Sequence, residues 1–189
     1  MSSPHVRIVQ LDAATLASLA DQDLERALET SPVPLTPWLA GPDCAWTWGY
    51  RARQVVERPE DAAWVTGVLW DEDAGVPVGK AGFHGAPDGD GMVEVGYAVD
   101  PAYRRRGYAR AALELMIARA QADPSVRTLR ATVSPDNAPS LALVGQYPFV
   151  ENGEQWDEED GLEIIFELAV DQPGRVSAAV VAAEDPRDP

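Results

Sequence analysis

The chain is 189 residues long and 46% hydrophobic, with 31 acidic against 15 basic residues and a formal charge of −16. That length accommodates one substantial core, so a single site is expected. A field of that sign repels nucleic-acid backbones and anionic membrane surfaces, and both are excluded as partners. No apolar run is long enough to span a bilayer and the first ten residues hold no apolar leader segment, so a cytoplasmic protein is expected. Cys44 is the only cysteine and His5 and His84 are the only histidines. No disulfide can form within the chain, and nothing has the spacing of a zinc site, so no metal is expected.

Val6 to Val9 alternates as a strand does, and Asp12 is placed to cap a helix whose apolar residues Leu16, Leu19 and Ala20 recur at helical spacing. Pro32, Pro34 and Pro37 interrupt the next stretch, and a second helix is predicted from about Asp43 to Val56. Trp64–Trp70 and Val76–Phe83 flank the turn-forming run Asp71–Gly75, which predicts an antiparallel hairpin, and a second turn over Ala86–Gly91 leads into a strand from Met92 to Val99.

After Gly107, apolar residues recur every three or four positions from Ala109 to Ala120, predicting an amphipathic helix that Asp123-Pro124 stops. A strand from Leu129 to Val133 follows. Asn137 is placed to cap a short helix from Ala138 to Gln146, and strands over Phe149–Glu154 and Leu162–Leu168 close the pattern around the acidic turn Asp157–Gly161. Residues 1–170 are expected to form the domain. Residues 171–189, rich in Pro, Ala and Asp and without period, are expected to be a flexible tail.

The chemistry concentrates between Val95 and Arg110, where a strand runs into a basic, glycine-bearing loop and then a helix. Helix N-termini present unpaired N–H groups and a partial positive charge, Gly107 brings no side chain, and Arg104, Arg105 and Arg106 add cations. A diphosphate is the ligand class such a loop suits. The bland alternative is a solvated turn at a helix entry.

Arg104-x-x-Gly107-x-Ala109, preceded by a strand ending in Val99 and by Asp100-Pro101, resembles the pyrophosphate-binding signature of GNAT acetyltransferases. Asn137-x-x-Ser140 followed by Phe149 resembles the family's second motif, and the order of elements is that of its fold, so the likeness spans roughly residues 6–170. Within the family, Gly96-Tyr97 and Asn137–Ser140 are most similar to the branch that acetylates ribosomal-protein N-termini.

The resemblance implies an α+β fold with a mixed, mostly antiparallel sheet and helices on both faces. It implies that the sheet splays between the strand ending at Val99 and the strand near Leu129, with the pantetheine of acetyl-CoA entering the gap. Backbone groups of Ala98 and Val99 would pair with its amides. The loop residues Arg104, Arg105, Arg106, Gly107, Tyr108 and Ala109 would hold the pyrophosphate, and Asn137 and Ser140, alternatively plain helix caps, would contact the cofactor. The reaction implied is transfer of an acetyl group to a primary amine by direct attack in a ternary complex. The acceptor, a small molecule or a protein N-terminus, stays open, and the likeness admits a homodimer.

Glu94, an acid interrupting an apolar strand that leads to the cofactor, is the candidate base, with a solvent-facing residue as the alternative. His84 is a second candidate by its ordinary pKa. Many family members protonate the leaving sulfur with a tyrosine at the position of Val144, and that acid is missing here. A noncatalytic acyl-CoA sensor on the same fold is therefore the competing reading. Trp38, Trp46, Trp48, Tyr50 and Trp156 are divided between an acceptor pocket and the core.

Overall fold

Asp12 and Asp23 each turn a carboxylate back onto the chain, accepting the N–H of Thr15 at 2.8 Å and of Arg26 at 3.0 Å, and so start two short helices. These belong to a structure whose computed structural model describes residues 3–157 and 161–170. In chain order the elements are β1 (Val6–Val9), α1 (Ala13–Ala20), α2 (Leu24–Thr30), α3 (Pro42–Glu57), β2 (Gly67–Asp71), β3 (Val76–Phe83), β4 (Met92–Val99), α4 (Tyr108–Ala122), β5 (Thr128–Val133), α5 (Ala138–Val144), β6 (Val150–Asp157) and β7 (Gly161–Ala169).

The seven strands form one sheet in the order β1-β2-β3-β4-β5-β7-β6. Only β4 and β5 run parallel; the other neighbours are antiparallel. Successive side chains of a strand leave by opposite faces, and the core divides accordingly. Val68 of β2 packs with Leu16, Leu19 and Trp48 beneath α1 to α3, whereas its neighbour Leu69 packs with Val93, Val95, Leu113 and Met116 beneath α4. Leu16 and Leu19 are wholly buried, and each contributes about 1.5–3 kcal/mol by leaving water, which holds the eight-residue α1 in place. Among the described residues no helix is long and apolar enough to cross a membrane.

The expected α+β architecture is the one observed, with helices on both faces. Helix α2 was not legible in the sequence, because only Ala27 among its seven residues is buried and no apolar stripe marks it. Strand β2 starts at Gly67 rather than Trp64, since residues 59–63 form a 3-10 turn that tucks Trp64 edge-on against Phe83. Helix α5 ends at Val144, two residues early, and β6 runs on to Asp157. The middle of the acidic turn and the tail from 171 to 189 lie outside the described residues.

Candidate active site

Strands β4 and β5 pair in parallel from Met92 with Thr128 to Val95 with Ala131, and no further. Beyond that point β4 stays on β3, with Ala98 opposite Lys80 and Val99 opposite Gly79, while Thr132 and Val133 of β5 stay on β7. The free edges of Gly96–Val99 and of the end of β5 therefore border a gap. A crevice of about 240 Å³ lies there, lined by Val95, Gly96 and Tyr97 on one side and Ala131 to Ser134, Asn137 and Ser140 on the other. An extended chain with amide groups fits between two such edges.

Past the open end of β4 lies the N-terminus of α4. Its first backbone amide with a backbone acceptor is that of Ala111, on the Gly107 carbonyl at 3.0 Å, and no side chain caps the helix. The amides before it are available to an anion. Arg105 and Gly107 both have left-handed backbones, with φ of 61° and 89°. Such a conformation costs a residue bearing a Cβ roughly 1–2 kcal/mol, so Arg105 is a point of local strain of the kind found at ligand loops.

Glycine stands at 107 for a reason the sequence did not show. A Cβ there would point at Pro4, 3.2 Å from its Cδ, rather than into open space, and it is the backbone angle that demands glycine. Arg104 donates from Nε to the Val99 carbonyl at 3.2 Å, and Arg106 donates to the Ala102 carbonyl at 3.0 Å while its guanidinium lies over the Tyr103 ring. All three arginines are exposed.

Tyr108 brings only its backbone to the loop. Its ring is buried and its hydroxyl donates to Asp71 at 2.5 Å, tying α4 to the end of β2. Burial and the adjacent carboxylate push that hydroxyl up to about 12. Ala109 packs against the core. Asn137 accepts the Ser140 N–H at 3.2 Å, as a helix cap does, yet both residues also line the crevice. The Ser140 side chain pairs with the Tyr97 hydroxyl, whose pKa is raised chiefly by burial.

Adjoining this crevice, with His84, Gly96, Tyr97, Thr132 and Glu163 shared between the two, a cavity of about 1060 Å³ opens between α3 and the sheet. Glu94 lies on its wall, mostly buried, accepting from the Thr132 hydroxyl at 2.8 Å, with His84 Nδ1 at 3.4 Å from the same oxygen. Burial raises the Glu94 pKa; the Thr132 bond and the charges of Arg130 and Arg51 pull the other way without cancelling it. Helix α3 contributes Asp43, Trp46, Thr47, Tyr50 and Arg51, β3 adds Lys80, and β6 and β7 add Trp156, Asp157 and Glu163.

The aromatic residues divide by helix face. Trp46 and Tyr50 stack at 5.4 Å on the cavity side and Trp156 faces them from β6, all three exposed, whereas Trp48 is wholly buried and donates to the Leu39 carbonyl at 2.7 Å. Trp38 packs against the same core.

Arg51 was missed by the sequence reading. It is buried on α3 in the row Cys44, Trp48, Arg51, Val55, where a cation on an otherwise apolar stripe was the available signal. Its Nη1 donates to Gln54 at 2.6 Å and to the His84 carbonyl at 3.0 Å. Thr132 was missed as well. It stands on the polar side of β5 with Thr128 and Arg130, opposite Leu129, Ala131 and Val133. The position of the missing tyrosine, Val144, is wholly buried. Tyr147 nearby donates to Glu114 at 2.8 Å and lines neither cavity.

Known proteins agree with this architecture. Residues 6–149 match the acetyltransferase (GNAT) domain family. An uncharacterized N-acetyltransferase of Bacillus subtilis, YjdG, is 35% identical over 75 residues, which is 40% of this chain and 45% of that protein, so the match spans less than half of the relative's length. Among solved structures, a ribosomal-protein-S5-alanine acetyltransferase from Vibrio fischeri superposes with a TM-score of 0.61 at 17% identity, covering 90% of this chain and 96% of that one. Spermidine N-acetyltransferase from Vibrio cholerae, in complex with CoA and spermine, gives 0.60 at 13% identity, covering 87% and 95%. These two likenesses concern the fold. The match across residues 6–149 makes the chain a member of the GNAT acetyltransferase family.

Proposed function

We propose that this chain is an acetyl-CoA-dependent N-acetyltransferase that passes the acetyl group directly to a primary amine in a ternary complex. The carrying observation is the parting of β4 from β5 after Val95, in line with the uncapped start of α4. The gap suits an extended arm with amide groups, and the free amides at 105–110, with the three arginines beside them, suit a diphosphate. Backbone groups of Ala98 and Val99 would meet the arm, Arg104 to Ala109 the phosphates, and Asn137 and Ser140 the crevice wall. Acetyl-CoA supplies an activated thioester whose carbonyl an amine can attack.

Glu94 is the group of this chain that directs removal of the amine's proton, and the acidic residues Asp157 and Glu163 favour entry of a cation into the same cavity. Two structural neighbours are named for amine acceptors, spermidine in one case and a ribosomal protein in the other. The Gly96-Tyr97 and Asn137–Ser140 likeness favours the ribosomal-protein branch.

Calorimetric titration with acetyl-CoA, with dephospho-CoA and adenosine diphosphate as comparators, tests the cofactor site. Micromolar binding that requires the pantetheine arm is expected, and no binding at millimolar ligand would overturn the reading. The buried Val144 favours a second reading, an acyl-CoA sensor without turnover. Binding followed by no acetylation across a panel of amines and peptides would establish it.

A further inference from the structure

Moving an acetyl group from a thioester to an amine makes two demands on protons: the amine nitrogen sheds one, and the departing thiolate needs one. Glu94 meets the first. For the second, Tyr97 has the right place on the sheet. It stands two residues beyond Val95, the last residue of β4 to pair with β5, so it lies on the free edge just past the point where the strands part. With its phosphates at the start of α4, beyond the open end of β4, an arm running down the gap would bring its thioester to this point. The Tyr97 ring packs against the core beneath α4, and the residue lines both the crevice and the larger cavity that holds Glu94.

Its hydroxyl is aimed across the crevice. Asn137 fixes the first turn of α5 by accepting the Ser140 N–H at 3.2 Å, and the Ser140 side chain pairs with the Tyr97 hydroxyl. The phenol thus reaches from the edge of β4 toward α5, through the space open to the arm. Thr132, Ser134 and Ser140 also bring hydroxyls to the crevice, but Thr132 donates its own to Glu94 and alkyl hydroxyls are far weaker acids than a phenol. A phenol with an ordinary pKa of about 10 is close enough to a thiol at about 8.5 to pass it a proton. Burial raises the Tyr97 pKa and the Ser140 bond lowers it by less, so the hydroxyl keeps its proton at neutral pH.

The geometry points to Tyr97 as the acid that protonates the leaving sulfur, with Ser140 positioning its hydroxyl. This rests on the acetyltransferase reading above. The amine nitrogen bonds to the acetyl carbon, the carbon–sulfur bond breaks, and its electron pair stays on sulfur, which takes the phenol proton. The proton lost by the amine goes to Glu94 and from there, through water in the adjoining cavities, to the phenolate. Both side chains end as they began. The other titratable groups that share these cavities are Asp43, Tyr50 and Arg51 from α3, Lys80 from β3, His84 just after it, Glu94 from β4, Asp157 from β6 and Glu163 from β7; from α5, Asn137 and Ser140 carry no charge.

A fluorotyrosine placed at position 97 alone has a more acidic phenol and carries its own magnetic-resonance label, so the titration of this one group can be followed apart from its neighbours. An acid must hold its proton to act, so kcat is expected to fall as pH rises through the phenol midpoint. That limb is expected to move to lower pH on fluorination and to coincide with the midpoint of the fluorine signal. Saturating CoA is expected to shift the signal, and desulfo-CoA, which lacks the sulfur, to shift it less. Tyr97→Phe is expected to lower kcat about a hundredfold and to erase the basic limb, with CoA affinity kept within about twofold. A basic limb that ignores the fluorine midpoint, equal shifts with CoA and desulfo-CoA, or an unchanged kcat in a folded Tyr97→Phe protein overturns the proposal while leaving the acetyltransferase reading intact. Failure of the unaltered protein to bind CoA overturns both.

Discussion

Glu94 carries opposing demands. Its carboxyl is desolvated on the cavity wall, which raises its pKa, and hydrogen-bonded to Thr132, which lowers it. Because the first effect is the larger, the acid limb of kcat/KM is expected above the usual carboxylate range of about 4.3, with activity falling as pH drops through it. A pH–rate profile measures this directly, and a limb at or below that value would remove Glu94 from the mechanism. Glu94→Gln keeps the shape of the side chain and is expected to lower kcat by roughly two orders of magnitude, with acetyl-CoA affinity unchanged by calorimetry. At this scale the sequence was partly readable. An acid between Val93 and Val95 stood out, but its pairing with His84 came from the antiparallel register of β3 and β4, which sets Phe83 opposite Val95. No spacing along the chain announces that contact.

The N-terminus of α4 is held by one buried tie, Tyr108 to Asp71. Burial pushes the Asp71 carboxyl up, but the Tyr108 hydroxyl and the N–H groups of Ala74 and Asp73 outweigh it, and the net shift is downward. A depressed carboxyl contributes stability above its unfolded pKa and loses it as pH falls through the folded value. Tyr108→Phe is therefore expected to cost about 1.5–3 kcal/mol at neutral pH, with the gap to the parent protein narrowing in acid, as thermal melts at several pH values would show. Gly107 is needed for its left-handed backbone, so Gly107→Ala should cost roughly 1–2 kcal/mol and Gly107→Asn less, since asparagine tolerates that region. Equal stability of all three proteins would refute the conformational argument. The loop's position was legible because strand, glycine and amphipathic helix follow one another locally. The Pro4 contact and the turning of Tyr108 away from the loop were not, since both depend on distant segments.

Across the whole molecule, a charge of −16 makes approach of a cationic acceptor favourable at long range and sensitive to salt. KM for an amine is expected to rise with ionic strength while kcat stays level, and a KM independent of salt would confine the electrostatics to contacts inside the cavity. The sequence by itself determined the order of most strands and helices, the amphipathic faces and the place of the glycine-bearing loop before α4, because periodicity, caps and turn residues act between near neighbours. It determined α2 poorly, since seven residues with one buried alanine carry no stripe. Only the tertiary structure decided where β4 leaves β5, which of the tryptophans line the cavity, and that Arg51, Thr132 and His84 converge on Glu94. Those relations are set by strand register and helix docking, which bring together residues as far apart as Arg51 and His84 or Glu94 and Thr132, and such contacts leave no periodic trace in either segment.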